Sequence, residues 1–135
     1  MSNGQGVKFL FPLGQIVGTP GADRLMRSQG VNPYEIITRH ASGDWGTIGT
    51  LDQVREALKE SPDLETDLRD RGPFGIPEET RLHDAFMNWI AVTVDPGQRV
   101  LSEYDVNGST LWVITDRDGA DGSDNVTTFL LPEEY

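Results

Sequence analysis

The spacing of apolar positions divides the chain into a helical first half and a strand-forming final third. Val7 to Pro12 (V-K-F-L-F-P) reads as a short strand or an extended lead-in. Thr19 and Pro20 then supply an N-cap and a first-turn proline, which predicts a helix over Gly21 to Ser28 with Ala22, Leu25 and Met26 inward and Gly30 at the stop. Asn32-Pro33 repeats that start. Tyr34, Ile37 and Ala41 follow at i, i+3, i+7, with Ile36 beside them, and Gly43 ends the second helix. Thr50 stands three residues before Gln53, the capping-box spacing, ahead of a helix over Leu51 to Glu60 with Leu51, Val54 and Leu58 on one face. Ser61 can cap a short acidic helix carrying Leu64 and Leu68, and Gly72 to Pro77 reads as a loop tucked onto the core by Phe74 and Ile76. Glu78 to Ala91 is the longest predicted helix, with Leu82, Ala85, Phe86, Trp89 and Ile90 in a wide stripe.

After the turn Asp95-Pro96-Gly97, period-2 segments take over. Arg99 to Tyr104 and Thr110 to Thr115 flank Asn107-Gly108, the pair that favours a type I′ hairpin turn with both residues at positive φ. Val126 to Leu131 is a third strand, stopped by Pro132. The alternation puts Leu111, Val113 and Thr115 on one face and Thr110, Trp112 and Ile114 on the other, so the strand is expected to be central, with the helix Glu78 to Ala91 covering one face and Trp89 approaching the sheet. The fold class is therefore α+β: short N-terminal helices packed on a C-terminal antiparallel meander of three or four strands. Residues 7–135 form one domain, and residues 1–6 form a polar, Gly-rich tail, disordered or tag-like.

Composition narrows the function classes. The chain has 135 residues, the size of one domain, and no cysteine, which removes disulfides, thiolate catalysis and Cys-ligated zinc and suits a cytoplasmic setting. No apolar run approaches membrane-helix length, and no signal peptide is visible. Twenty-two acids against eleven bases give a net charge of −11, which argues against nucleic acid as a partner and suits a protein with a basic surface. The charge is uneven: residues 1–51 hold three acids and four bases, 52–84 ten and five, and 103–135 eight and one.

Three blocks carry a resemblance: L-G-Q-I-V-G-T-P (13–20), R-H-A-S-G-D-W-G (39–46), and the C-terminal set R-V-L-S-E-Y, L-W-V-I-T-D and T-T-F-L-L-P-E-E-Y. Together they cover about half the chain and resemble a group of small proteins carried on plasmids, integrative elements and phages. Members are often named as restriction–modification subunits, but the chain is too short to be a methyltransferase, so that name is not carried over. The chain departs from the group's pattern over residues 47–77 and by D-G-A-D-G-S-D in the last hairpin loop. The resemblance implies mobile-element biology and no particular reaction.

His40, Ser42, Asp44 and Trp45 form the densest cluster of chemically useful side chains. Read for function, His40, Asp44 and Trp45 offer a binding surface, or His40 and Asp44 a general-base pair. Read for structure, they are a helix C-terminus, a Gly stop, a capping Asp and a core Trp. His83-Asp84 resembles half of a metal dyad but lacks further ligands. Asp116, Asp118, Asp121 and Asp124 could gather around calcium. However, the EF-hand pattern fails, with Ala120 and Thr127 where ligands belong, and a solvated loop is the plainer reading. Asp116 and Asp118 also count as binding candidates. Glu133-Glu134-Tyr135 reads as a short tail or an exposed anchor. No nucleotide, zincin or nucleophile-elbow motif occurs, and no cofactor is expected.

The leading expectation is a non-enzymatic acidic accessory factor of a mobile element that binds a protein partner, in its sharpest form a counter-defence factor occupying the basic groove of a host nuclease or restriction system. The alternative is a small hydrolase or nucleotide-processing enzyme built on His40 and Asp44 with Asp84 or Asp116. A third is a module whose partner is itself.

Overall fold

Three helix starts among the described residues sit where a side chain takes up an orphan backbone N–H. A computed structural model describes residues 8–77, 79–117 and 124–135. The Thr19 hydroxyl accepts from Ala22 N at 3.2 Å and opens α1 (Pro20–Ser28). Asn32 Oδ1 accepts from Tyr34 N at 2.9 Å and opens α2 (Pro33–Ser42), which Gly43 closes at φ 99°. Thr50 and Gln53 form a reciprocal capping box, at 3.1 and 2.9 Å, ahead of α3 (Leu51–Glu60). Ser61 precedes α4 (Pro62–Arg71), but its hydroxyl makes no cap bond. A 3-10 turn over Gly72–Gly75 follows.

The next helix, α5 (His83–Thr93), begins later than its apolar stripe predicts. Leu82 sits at φ 64°, and a left-handed residue cannot continue the i to i−4 ladder upstream. Glu78 lies outside the described residues. Of the two side chains expected to tuck the preceding loop inward, Ile76 is buried while Phe74 is 83% exposed.

The C-terminal hairpin forms as expected. β2 (Val100–Val106) and β3 (Ser109–Asp116) pair antiparallel across Asn107 (φ 50°) and Gly108 (φ 90°). β4 (Val126–Leu130) pairs antiparallel with β3. The sheet is nonetheless not a pure meander. A fourth strand, β1 (Gln15–Gly18), lies parallel to β4, giving a mixed sheet in the order β1-β4-β3-β2. Of the two readings of Val7 to Pro12, strand or lead-in, its described residues form no strand. Leu10 N instead reaches Ala41 O at 2.8 Å, and Phe11 is buried with its ring edge-on to His40. Gly14 (φ 67°) swings the chain onto β4, so close that a Cβ there would lie 1.8 Å from Asn125 O.

Two apolar clusters result. The first lies between α1, α2 and one sheet face and contains Met26, Ile36, Ile37, Tyr104, Leu111, Val113 and Phe129. The second joins α3, α4 and α5 with Phe11, Trp45 and Val100. Strand β3 is central, as its two-sided apolar pattern implies, but α5 does not lie across it. That helix sits beside the outer edge of β2, where Asn88 Nδ2 donates to Leu101 O at 2.6 Å and Asn88 Oδ1 accepts from Leu101 N at 3.0 Å. Trp89 is buried in the helical cluster, under the Arg69 guanidinium. On the far sheet face Ile114 and Leu130 are buried, and Trp112 meets Tyr135 edge-on.

The C-terminal residues are anchored. A 3-10 turn over Pro132–Glu134 brings the Glu134 carboxylate to the start of α1, where it accepts from the Thr19 hydroxyl (2.5 Å) and from Gly21 N (3.1 Å). An anion at a helix N-terminus is favoured by the helix dipole, and these bonds hold the carboxyl below its usual range, the Thr19 bond foremost. Among the described residues no helix is long and apolar enough to cross a membrane.

Candidate functional site

The densest cluster of polar chemistry lies where the two apolar clusters meet. His40, near the end of α2, is fully buried, as are Ser102, Thr115 and Thr127 on the inward face of β2, β3 and β4. His40 Nδ1 lies 2.6 Å from Ser102 Oγ, and Nε2 lies 2.9 Å from Thr115 Oγ1. Thr115 Oγ1 is 2.7 Å from Thr127 Oγ1, which is 2.7 Å from Leu13 O.

Hydrogen counting fixes the direction of every bond. A carbonyl only accepts, so Thr127 donates to Leu13 O. Its one hydrogen spent, Thr127 accepts from Thr115, and Thr115 in turn accepts from His40 Nε2–H. The histidine is therefore the Nε2–H tautomer, and Nδ1 accepts from the Ser102 hydroxyl. Burial drives the imidazole pKa down to about 3, so the ring is neutral at physiological pH. The result is a one-way chain of four hydrogen bonds running across the sheet from β2 to the residues just ahead of β1.

The Ser102–His40 contact has the length of a nucleophile–base pair, but neither side chain has any exposure to solvent. With both side chains sealed, a substrate carbonyl has no open path to Ser102 Oγ in this arrangement. In this arrangement the network satisfies buried polar groups and locks α2 to the sheet.

Asp44 does not meet His40. Its carboxylate pairs with Arg39 (2.8 Å) and accepts from Gly46 N (3.2 Å). Partial burial raises its pKa, but the Arg39 hydrogen bond, the Gly46 N–H and the guanidinium charge outweigh that and hold the carboxyl below its usual range. Arg39 also stacks over Tyr104, whose hydroxyl donates to Asp44 O at 2.7 Å. The Ser42 hydroxyl turns back onto Thr38 O at 2.7 Å. Trp45 is fully buried, and its indole N–H has no hydrogen-bond partner among the described residues. Its backbone carbonyl accepts from Glu103 N (3.1 Å), and Thr47 N donates to Glu103 O (2.7 Å), so the G-D-W-G-T segment runs along the outer edge of β2. Gly46 is required there, because a Cβ would lie 2.0 Å from Glu103 O.

The other candidates are dispersed. His83 and Asp84 touch each other at 3.5 Å on the surface. Asp116 pairs with Arg99 at 2.8 Å, and Asp124 is exposed. Asp118 and Asp121 lie outside the described residues. Among the described residues no three His, Asp or Glu side chains converge to hold a metal ion.

The sequence reading did not identify Ser102, Thr115 and Thr127 as partners of His40. Their signal is present in retrospect: small hydroxyls at positions where period-2 alternation places apolar neighbours, as in Val100-Ser102-Tyr104 and Leu111-Val113-Thr115. A separate feature lies on the surface. A groove of about 410 Å³ between α3 and the start of α5 has Ala57, Leu82 and Phe86 in its lining and Asp52, Glu56 and Glu60 spaced four apart along one side. The chain matches no protein-family model, and neither a curated protein nor a solved structure shows significant similarity to it.

Proposed function

We propose that this chain is a non-catalytic acidic binding protein whose partner is a protein with a basic surface. The observation that carries this reading is where the polar chemistry sits. Among the described residues, the concentrated cluster around His40 is closed and internal, while the carboxylates that dominate the net charge are at the surface. Asp52 and Glu56 are 92% and 71% exposed, each with a basic neighbour on α3 (Arg55 at 3.8 Å, Lys59 at 3.3 Å), and with Glu60 they form a row beside an apolar floor that Arg81 also lines. Such a row attracts a Lys- or Arg-rich face at long range, and the floor supplies the apolar contact that holds it. In its sharpest form the partner is a host nuclease or restriction enzyme whose nucleic-acid groove is occupied, a counter-defence role in the cytoplasm for a mobile-element protein. The resemblance in the three sequence blocks supports that form.

The test is capture of partners from a bacterial lysate at about 50 mM and about 500 mM salt, where surface charge is screened to very different extents. The expected result is a partner recovered at low salt, lost at high salt, and weakened by the triple change Asp52→Asn, Glu56→Gln, Glu60→Gln. A partner whose binding ignores both salt and these changes, or no partner at low salt, overturns the reading.

A further inference from the structure

We propose that the free edge of β1 pairs with β1 of a second copy of this chain, giving a two-fold dimer with one continuous eight-stranded sheet. The argument begins with ladder parity. Gln15 N donates to Asn125 O (3.0 Å) and Thr19 N to Phe129 O (2.9 Å), in the parallel register Gln15↔Val126 to Gly18↔Phe129. In a parallel ladder alternate residues direct both backbone groups to the same neighbour, so residues 15, 17 and 19 serve β4. Ile16 and Gly18 therefore aim N–H and C=O away from the sheet, and no hydrogen bond from a described residue reaches them. All four strand residues are exposed, Ile16 by 50% and Val17 by 37%. Q-I-V-G holds no proline and no charge, the usual devices that protect an edge.

The edge is self-complementary. A two-fold axis through Val17, perpendicular to the sheet, sets Ile16 opposite Gly18 of the second copy, and the reverse. Both pairs are of the hydrogen-bonded kind, so the four outward N–H and C=O groups of each copy are all satisfied. The side chains fit in the same register, because Ile16 lies on the same sheet face as Gly18. The space over Gly18 is open enough that an added Cβ would meet nothing nearer than Phe129 Cβ at 3.8 Å. Beside it runs a groove of about 510 Å³ whose lining includes Pro20, Met26, Pro33 and Phe129, an apolar seat for the second copy's Ile16.

Charge selects a second copy over a basic partner at this edge. Residues 1–51 hold three acids and four bases, whereas the whole chain holds twenty-two and eleven. The one carboxylate lining the groove, Asp23, is paired with Arg27 at 2.9 Å. The Glu134 carboxylate just beyond the end of β1 is likewise engaged, by Thr19 Oγ1 and Gly21 N.

Sedimentation of the full chain from about 1 to about 200 µM tests this, since a weak dimer is populated by mass action. The expected result is a concentration-dependent species of twice 14.9 kDa that strengthens as salt screens the residual repulsion, opposite to the salt response of a basic partner. Gly18→Val fills the space needed by the second copy's Ile16, and Ile16→Lys places a charge there. Both should sediment as monomers at concentrations where the wild-type chain is dimeric, with unchanged circular dichroism, and should match its melting temperature at about 1 µM, where all three are monomeric. A wild-type chain that is monomeric throughout, or a dimer that both variants leave intact, overturns the proposal.

Discussion

At the outer edge of β2, Leu101 gives its N–H and C=O to Asn88, and Glu103 gives its own to Trp45 and Thr47. At the outer edge of β1, the backbone N–H and C=O of Ile16 and Gly18 have no hydrogen bond from a described residue. Among the described residues, one edge is covered by two separate stretches of chain and the other by none. The difference changes the meaning of the R-H-A-S-G-D-W-G block. Its histidine pins α2 to the sheet, its Gly43 ends the helix, and its D-W-G passes along β2 as an edge cover. A cluster that reads as a site from its residue types is, in place, the device that closes one side of the sheet. In the proposed dimer, the second copy adds to the edge that no such device protects.

The largest effect separating the two edges should come from a pair of glycine substitutions. Gly46→Val drives a Cβ to about the position 2.0 Å from Glu103 O, at a residue with φ 74°, so the segment must leave the edge. Uncovering β2 in this way should cost about 3 kcal/mol or more, read as a fall of roughly 10 °C in melting temperature. Gly18→Val, with 3.8 Å to its nearest neighbour, should stay within about 0.5 kcal/mol. Equal losses at both positions would erase the distinction between the edges.

Asn88→Ala tests the second cover. It removes a donor and an acceptor from the backbone of Leu101 and should cost about 2 kcal/mol in urea unfolding. A neutral result would mean that water serves Leu101 equally well, and that Asn88 is filler rather than cover.

A third effect concerns the hydrogen-bond chain that links the two edges across the sheet. The unfolded chain protonates His40 below its ordinary pKa of 6.5, whereas the folded pKa is about 3. Between those values the unfolded state binds the extra proton, so stability falls as pH falls, by about 1.4 kcal/mol per unit. From pH 6.5 to pH 5 the loss assignable to His40 is about 2 kcal/mol. His40→Gln removes the titration, so its stability should change less over that interval than that of the wild-type chain. Parallel pH profiles would show that the ring is solvated rather than sealed. Asp44, Asp95 and Glu134, whose carboxyls are held below their usual range, lose their contributions at lower pH, which keeps the two effects apart.

The sequence by itself determined most features whose physical cause lies within a few residues, the Ser61 cap being an exception. Thr19, Asn32 and the Thr50–Gln53 pair cap helices through bonds spanning two or three positions. Gly43 closes α2, and Asn107-Gly108 sets the hairpin and, through it, the faces of β3. The tertiary structure alone decided what depends on distant partners. His40 finds Ser102 and Thr115, 62 and 75 positions away, and not Asp44, only four away. β1 joins β4 in parallel, Leu82 takes a left-handed turn that delays α5, and Asn88 faces a strand edge rather than a helix neighbour. Local chemistry acts through bonds whose geometry is set by one or two dihedrals. Long-range pairing is chosen by register and burial across the whole sheet, and those are settled only when the two apolar clusters close on each other.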